Sequence, residues 1–191
     1  VIDGVVDIGE WNGSWIGSNE KKDYVQLLSP WRGEDDLSFS GTMLWDEDYF
    51  YFLAIVTDDV YYVNHQPSGV QFTHNGDGIQ IGIDDRVDVN SVEATVFNEL
   101  NVGEVPGVGP VVYKQKAYYA DSPVGTVLEN AQIGFKRYDS YTVYECKIPW
   151  DDIYYPNYVV NPDNPMRFSV LANDNDGAGR KGLIQYTGGI G

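Results

Sequence analysis

"YFYFLAIVT", residues 49–57, decides the fold class. Read with the two-residue period of a strand, it is apolar on both faces. A strand of that kind belongs in the middle of a stack, with protein covering each side. The segments around it carry the same signature. "LSFSGTMLW" (37–45) precedes it across the turn "DED" (46–48), and "YVQLL" (24–28) lies further upstream. Downstream come "GIQIGID" (78–84), "SVEATVF" (91–97), "AQIGFKRY" (131–138), "YTVYECKIPW" (141–150), "RFSVLAND" (167–174) and "GLIQYT" (182–187). Each is bounded by turn residues. "VGEVPGVGP" (102–110) reads as a loop, and 154–166 holds three prolines in an irregular connection. No stretch of about twelve residues keeps helical periodicity, so one short turn near "PWDDIY" is the only helix expected. The pattern predicts an all-β, jelly-roll-like antiparallel β-sandwich, a single domain over 1–191.

The chain has 191 residues, with 12 basic and 29 acidic side chains and a net charge of −17. A surface this acidic rules against nucleic acid, which needs a basic patch, and against anionic membranes. It also speaks against an acidic polysaccharide and leaves a neutral ligand or a cation. No apolar run approaches the ~20 residues of a membrane span. The opening "VIDGVVDIGEW" has no leader-peptide pattern and reads as a mature or excised segment. The single Cys146 alternates with Tyr144 and Ile148, which predicts a buried thiol and no disulfide. Aromatics reach 14%, with 15 Tyr against 7 Phe, a choice suited to half-buried strands and wet binding faces.

Most catalytic motifs fail on context. "GAGRKG" (177–182) spells a dinucleotide fingerprint but precedes a strand-like segment, so a hairpin turn is expected. His65 and His74 lack the spacing of a helical zinc pair, and no G-x-S-x-G elbow occurs. Carboxylate pairs for glycoside hydrolysis exist in number, but a sequence cannot set two of them across a cleft. Acids do gather at strand ends: Asp58 and Asp59, Asp84 and Asp85, Asp174 and Asp176. They either solvate turns or hold a structural Ca²⁺, with Asp58, Asp59, Asp174 and Asp176 as its candidate ligands.

The face opposite Ile79, Ile81 and Ile83 carries Gly78, Gln80 and Gly82. Two glycines framing one amide would leave a smooth floor with a donor and an acceptor standing from it. A pyranose matches such a surface, its hydroxyls meeting amides and its C–H faces meeting aromatic rings. Asn173, alternating with Ser169 and Leu171, offers a second amide, and Tyr186 an aromatic wall. Trp31, in the polar loop "SPWRGEDD" (29–36), is an alternative platform. Trp45 and Trp150 read as core, Trp11 and Trp15 as caps of the sandwich.

"LWDEDYFYFLAIVTDDV" (44–60), "NGDGIQIGIDD" (75–85), "YECKIPWDDI" (144–153) and "FSVLANDNDGAGRKGLIQYT" (168–187), with the opening "IDGVVDIGEW" (2–11), together resemble the family 9 carbohydrate-binding modules. These are DOMON-like β-sandwiches attached to xylanases and other extracellular polysaccharide-degrading enzymes. The resemblance implies a sugar ring held between two tryptophans, polar contacts from neighbouring strands, and bound calcium. Position by position, the family's ligand-facing glutamate falls at Gln80 and its first tryptophan near His74, with Phe72 the nearest ring. An arginine falls near Thr95 and a glutamine at Leu171. The second tryptophan follows the strand that ends at Tyr186.

The expected function is a non-catalytic module that binds neutral polysaccharide such as xylan or glucan. It is expected to be extracellular, monomeric and covalently linked to a glycan-degrading enzyme. The alternative is a structural or adhesion domain without sugar binding. A catalytic module needs two carboxyl groups across a deep cleft, and a haem-binding relative needs Met or His ligands that this chain barely supplies.

Overall fold

Two antiparallel sheets pack face to face in the computed structural model, which describes residues 1–7, 9–63, 69–86, 97–188 and 190, the Phe72 side chain excepted. In chain order the strands are β1 (Trp15–Ser18), β2 (Tyr24–Gln26), β3 (Leu37–Trp45), β4 (Tyr49–Asp58), β5 (Gly78–Asp84) and β6 (Asn98–Val105). They continue as β7 (Gly109–Lys116), β8 (Thr126–Val127), β9 (Gln132–Arg137), β10 (Tyr141–Pro149), β11 (Arg167–Asp174) and β12 (Gly182–Tyr186). One sheet has the order β1-β3-β4-β10-β9 and the other β2-β12-β11-β5-β6-β7-β8. Among the described residues the single α-helical turn, α1 (Trp150–Ile153), follows β10 as expected. Among the described residues no helix is long and apolar enough to cross a membrane.

Alternation explains the core. Phe50, Phe52, Ala54 and Val56 of β4 meet Ile79, Ile81 and Ile83 of β5 between the layers, joined by Tyr144, Cys146 and Ile148 of β10. Cys146 is fully buried, as predicted, and burial pushes its thiol pKa up. The other side of β4 is apolar because it too is covered. Leu53 and Val143 lie under Trp11, with Ile2 and Val6 packed beside them. The buried Glu145 carboxylate anchors this cover, accepting the Asp3 and Gly4 backbone N–H groups at 2.9 and 2.7 Å and the Trp11 indole N–H at 3.0 Å.

Two sequence expectations need correction at the level of the fold. The Gly/Pro/Val stretch 102–110 is no open loop: β6 and β7 pair through it, and only the turn between Val105 and Gly109 leaves the ladder. Val102 of β6 and Val112 of β7 face each other across the ladder and reach the core, while Val108 lies exposed in the turn. Trp45 is 52% exposed at the end of β3, and Trp15 is also exposed, while Trp150 and Trp11 are buried. The segment "GAGRKG" is the predicted turn, with Gly177 and Gly179 at φ 93° and 112° before β12. The expected strand 91–97 lies outside the described residues except for Phe97, as do His65 and Thr95.

Candidate functional site

Ile79, Ile81 and Ile83 point into the sandwich, so β5 turns Gly78, Gln80 and Gly82 to the outer face of the seven-stranded sheet. Register aligns Gln80 with Asn101 of β6 on one side and Leu171 of β11 on the other. Asn173 stands beside Gly78, and Gly103 flanks Gly78 from β6. Glu99 is opposite Gly82. Parity places these amides and glycines on one face as the sequence predicts, but Gly78, Gln80 and Gly82 are all buried, so the open floor expected of them is covered.

The floor is less bare than the glycines imply. A Cβ at Gly82 would lie 3.1 Å from Ile190 and 3.2 Å from Phe97, because these two join Leu171 and Leu183 in a small apolar cluster on this face. Gly78 answers to its neighbour's backbone: a Cβ there would come within 2.6 Å of the Val102 carbonyl oxygen. Gln80 is only 4% exposed. Its Nε2 donates to Glu99 Oε1 at 2.8 Å, and its Oε1 accepts from Arg180 Nη2 at 2.9 Å. Glu99 in turn pairs with Lys116 at 2.8 Å. Gln80 therefore sits inside a charged chain rather than standing free.

Asn173 differs. It is fully buried, yet neither its Oδ1 nor its Nδ2 has a hydrogen-bond partner among the described residues. Asn101 Oδ1 and Arg180 Nε share that condition. Buried polar groups are normally satisfied, and leaving one unmade costs about 1–3 kcal/mol. Three such residues share one face, each with donor or acceptor capacity that no described residue uses.

A 3-10 turn, Gly69–Asn75, forms one wall of this face, with Thr73 over Gly103. It carries His74 beside the floor, where burial, helped by Arg180, holds the imidazole pKa below its ordinary value and so favours the neutral ring. The Phe72 side chain lies outside the described residues; of the described rings, Phe97 packs against Gly82 and Tyr113 stands opposite Asn101 on the same face. Two expected platforms move away. Tyr186 pairs with Val170, whose side chain is in the core, so the register puts it on the inward side rather than the Gln80 face. Trp31 donates its indole N–H to Leu37 O at 2.8 Å, stacks on Tyr24 and packs against the core. A cleft of about 270 Å³ continues beyond Gly82, lined by Phe97, Arg167 and Ser169 among others.

The acids divide into two groups. Asp58 ends β4, Asp77 precedes β5 and Asp174 ends β11, and all three are buried with carboxylate oxygens within 4.8 Å of one another. Burial, reinforced by the neighbouring carboxylates, raises the pKa of each. Asp58 Oδ2 and both Asp174 oxygens lack hydrogen-bond partners, although Lys181 Nζ approaches Asp174 at 3.3 Å. Clustered, dehydrated, oxygen-only donors fit a hard divalent cation such as Ca²⁺. Asp59 and Asp176 sit apart from this group. With Asp36 they are held by Arg32, at 3.0 Å to Asp59 and 3.5 Å to Asp176, and Lys181 pairs with Asp176 at 3.2 Å. Asp84 pairs with Arg86 at 2.8 Å, and Asp85 accepts the Tyr119 and Tyr158 hydroxyls.

Sequence reasoning missed Asp77, Asn101, Glu99 and Arg180. Asp77 was visible as the acid of "NGDG" just before a strand, the same position logic that selected Asp174. Asn101 and Glu99 were hidden because β6 was not recognised: the expected strand ended at 97 and the expected loop began at 102.

Comparison with known proteins agrees with this architecture. The family described as "Carbohydrate family 9 binding domain-like" matches residues 2–188. A carbohydrate binding module family 9 from Caldicellulosiruptor kristjanssonii, solved in complex with cellotriose, superposes with a TM-score of 0.65 at 19% identity, over 100% of this chain and 81% of that one. The same organism's family 9 module in complex with glucose gives a TM-score of 0.64 at 19% identity, over 100% and 83% of the two chains. At that identity the likeness is one of fold. No match was found among curated proteins.

Proposed function

Since the chain belongs to the carbohydrate family 9 binding domain-like proteins, we propose that it is a non-catalytic module that binds a glycan on the outer face of its seven-stranded sheet. The observation that carries this reading is Asn173, a fully buried amide with both polar atoms unpartnered, on the same face as Gln80 and Asn101. Sugar hydroxyls would supply the missing donors and acceptors, and Phe97 and the adjoining cleft would receive C–H faces. The solved relatives' cellotriose and glucose make a glucan the first ligand to try; xylan remains part of the proposal. In this reading the module serves an extracellular glycan-degrading enzyme to which it is covalently joined, and works as a monomer.

Calcium belongs to the same proposal. Asp58, Asp77 and Asp174 would hold it, with a structural role: Asp58 comes from one sheet and the other two from the opposite sheet, so the ion would pin the layers at one end.

Calorimetric titration with cellotriose and xylotriose tests the reading. Binding by the folded protein, weakened in Asn173→Ala, supports it; no heat with either sugar contradicts it. A structural or adhesion role is the second reading. It is favoured by Gln80, whose amide is already engaged on both sides by Glu99 and Arg180.

A further inference from the structure

Arg180 reaches from the turn between β11 and β12 onto the amide floor, where its Nη2 donates to Gln80 Oε1 at 2.9 Å. Its Nε is buried and has no acceptor, and no carboxylate among the described residues forms an ion pair with it. Other arginines of this acidic chain are treated differently: Arg32 holds three aspartates and Arg86 holds Asp84. Glu99, the acid nearest Gln80, already pairs with Lys116 at 2.8 Å and takes the Gln80 amide at 2.8 Å. Gln80 is thus a neutral spacer between Arg180 and Glu99, and among the described residues no carboxylate touches the guanidinium directly. Burial lowers its pKa, and Glu99, acting across Gln80, offsets only part of that effect. Asn173 Nδ2 adds a second idle donor diagonal to Gln80.

A guanidinium presents its donors as a planar fork that matches a carboxylate. We propose that the outer-face site takes a sugar bearing a carboxylate, a uronic acid residue of a glycan, and that Arg180 determines this specificity. Hydroxyls of the ring would meet Asn173 and Asn101, and the C6 carboxylate would meet Arg180. The net charge of −17 does not decide the matter at this site. Charge beyond a Debye length, ~8 Å at physiological salt, is largely screened, while the contact with Arg180 is direct. The inference rests on the glycan reading above and narrows it.

The test compares D-glucose, D-glucuronate and D-glucose 6-sulfate, followed by amide chemical-shift titration, with cellotriose as a control for glycan binding. Glucose and glucuronate differ only at C6. Glucuronate is expected to bind about tenfold tighter than glucose. The advantage should shrink with added salt, vanish in Arg180→Gln and largely vanish in Arg180→Lys, which keeps the charge but loses the fork. The Lys variant also serves if the Gln variant fails to fold. Equal affinities for glucose and glucuronate overturn the inference and leave the glycan reading standing. A gain for the 6-sulfate equal to that for glucuronate overturns the carboxylate specificity. No shift with any sugar, cellotriose included, removes the inference together with the reading beneath it.

Discussion

Asp77 Oδ1 accepts the backbone N–H of Asn175 at 2.8 Å, tying the start of β5 to the end of β11. That bond joins the two halves of the site. Asp77 is next to Gly78 of the floor, and Asp174, next to Asn175, follows Asn173. Successive strand residues point to opposite faces, so Asn173 looks outward while Asp174 looks into the carboxylate cluster. Order in the cluster is thereby order in the floor.

A cation in the cluster should stabilise the fold. Binding at a hundred times Kd adds about 2.7 kcal/mol. For a chain of this size that is a rise in Tm of roughly 5–10 °C. Calorimetry with Ca²⁺ and with chelator measures it, and Asp174→Asn should abolish the difference. Identical melts with and without Ca²⁺ would remove the cation from the account.

Chelated protein should lose stability as the pH rises. Asp58 and Asp174 have folded pKa values raised to about 7. Between the ordinary carboxylate range and about pH 7 the folded state therefore binds more protons than the unfolded state, which makes stability fall with pH. With Ca²⁺ present the slope should flatten or reverse, because the ion binds the deprotonated groups. Denaturant midpoints from pH 4.5 to 7.5, with and without Ca²⁺, show the sign.

Asn173→Ala should weaken cellotriose binding roughly tenfold while leaving stability unchanged or slightly raised, since the amide makes no internal hydrogen bond to lose. Affinity from calorimetry and Tm from the same preparation separate the two effects. A destabilised variant with unchanged affinity would make Asn173 a structural residue.

The two floor glycines should differ in tolerance. A methyl at Gly78 meets the Val102 carbonyl oxygen at 2.6 Å, a backbone atom that cannot move alone; at Gly82 it meets side chains of Ile190 and Phe97 at 3.1 and 3.2 Å. Gly78→Ala should therefore destabilise by more than Gly82→Ala, with the first at the upper end of the ~1–3 kcal/mol of overpacking. Urea midpoints of the two variants decide the order.

The fold was legible because burial on both faces of β4 and strict alternation in β5, β10 and β11 leave little else possible. Residues 102–110 were misread because Gly and Pro are punctuation in sequence, whereas here Gly103, Gly109 and Pro110 sit within the paired strands of a tight hairpin. The floor was found through Gln80 and Asn173, since face follows from parity. Its charge network was not found, because Glu99, Arg180 and Lys116 meet only through strand register, which alternation does not specify. The same holds for the acids: Asp58 and Asp174 were chosen from strand ends, but which sheet ends coincide is a property of topology. Tyr186 could have been placed correctly, as parity with Ile184 turns it inward. Trp31 could not, because its partners Leu37 and Tyr24 lie on other segments.

The most direct test of the central claim is to follow the side-chain amide resonances of Asn173, Gln80 and Asn101 while cellotriose is added. The account predicts saturable shifts at Asn173 and its neighbours, with residues on the outer face of the five-stranded sheet, such as Glu145 and Trp11, unmoved. Saturable shifts confined to that opposite face, or none anywhere at millimolar sugar, would contradict it.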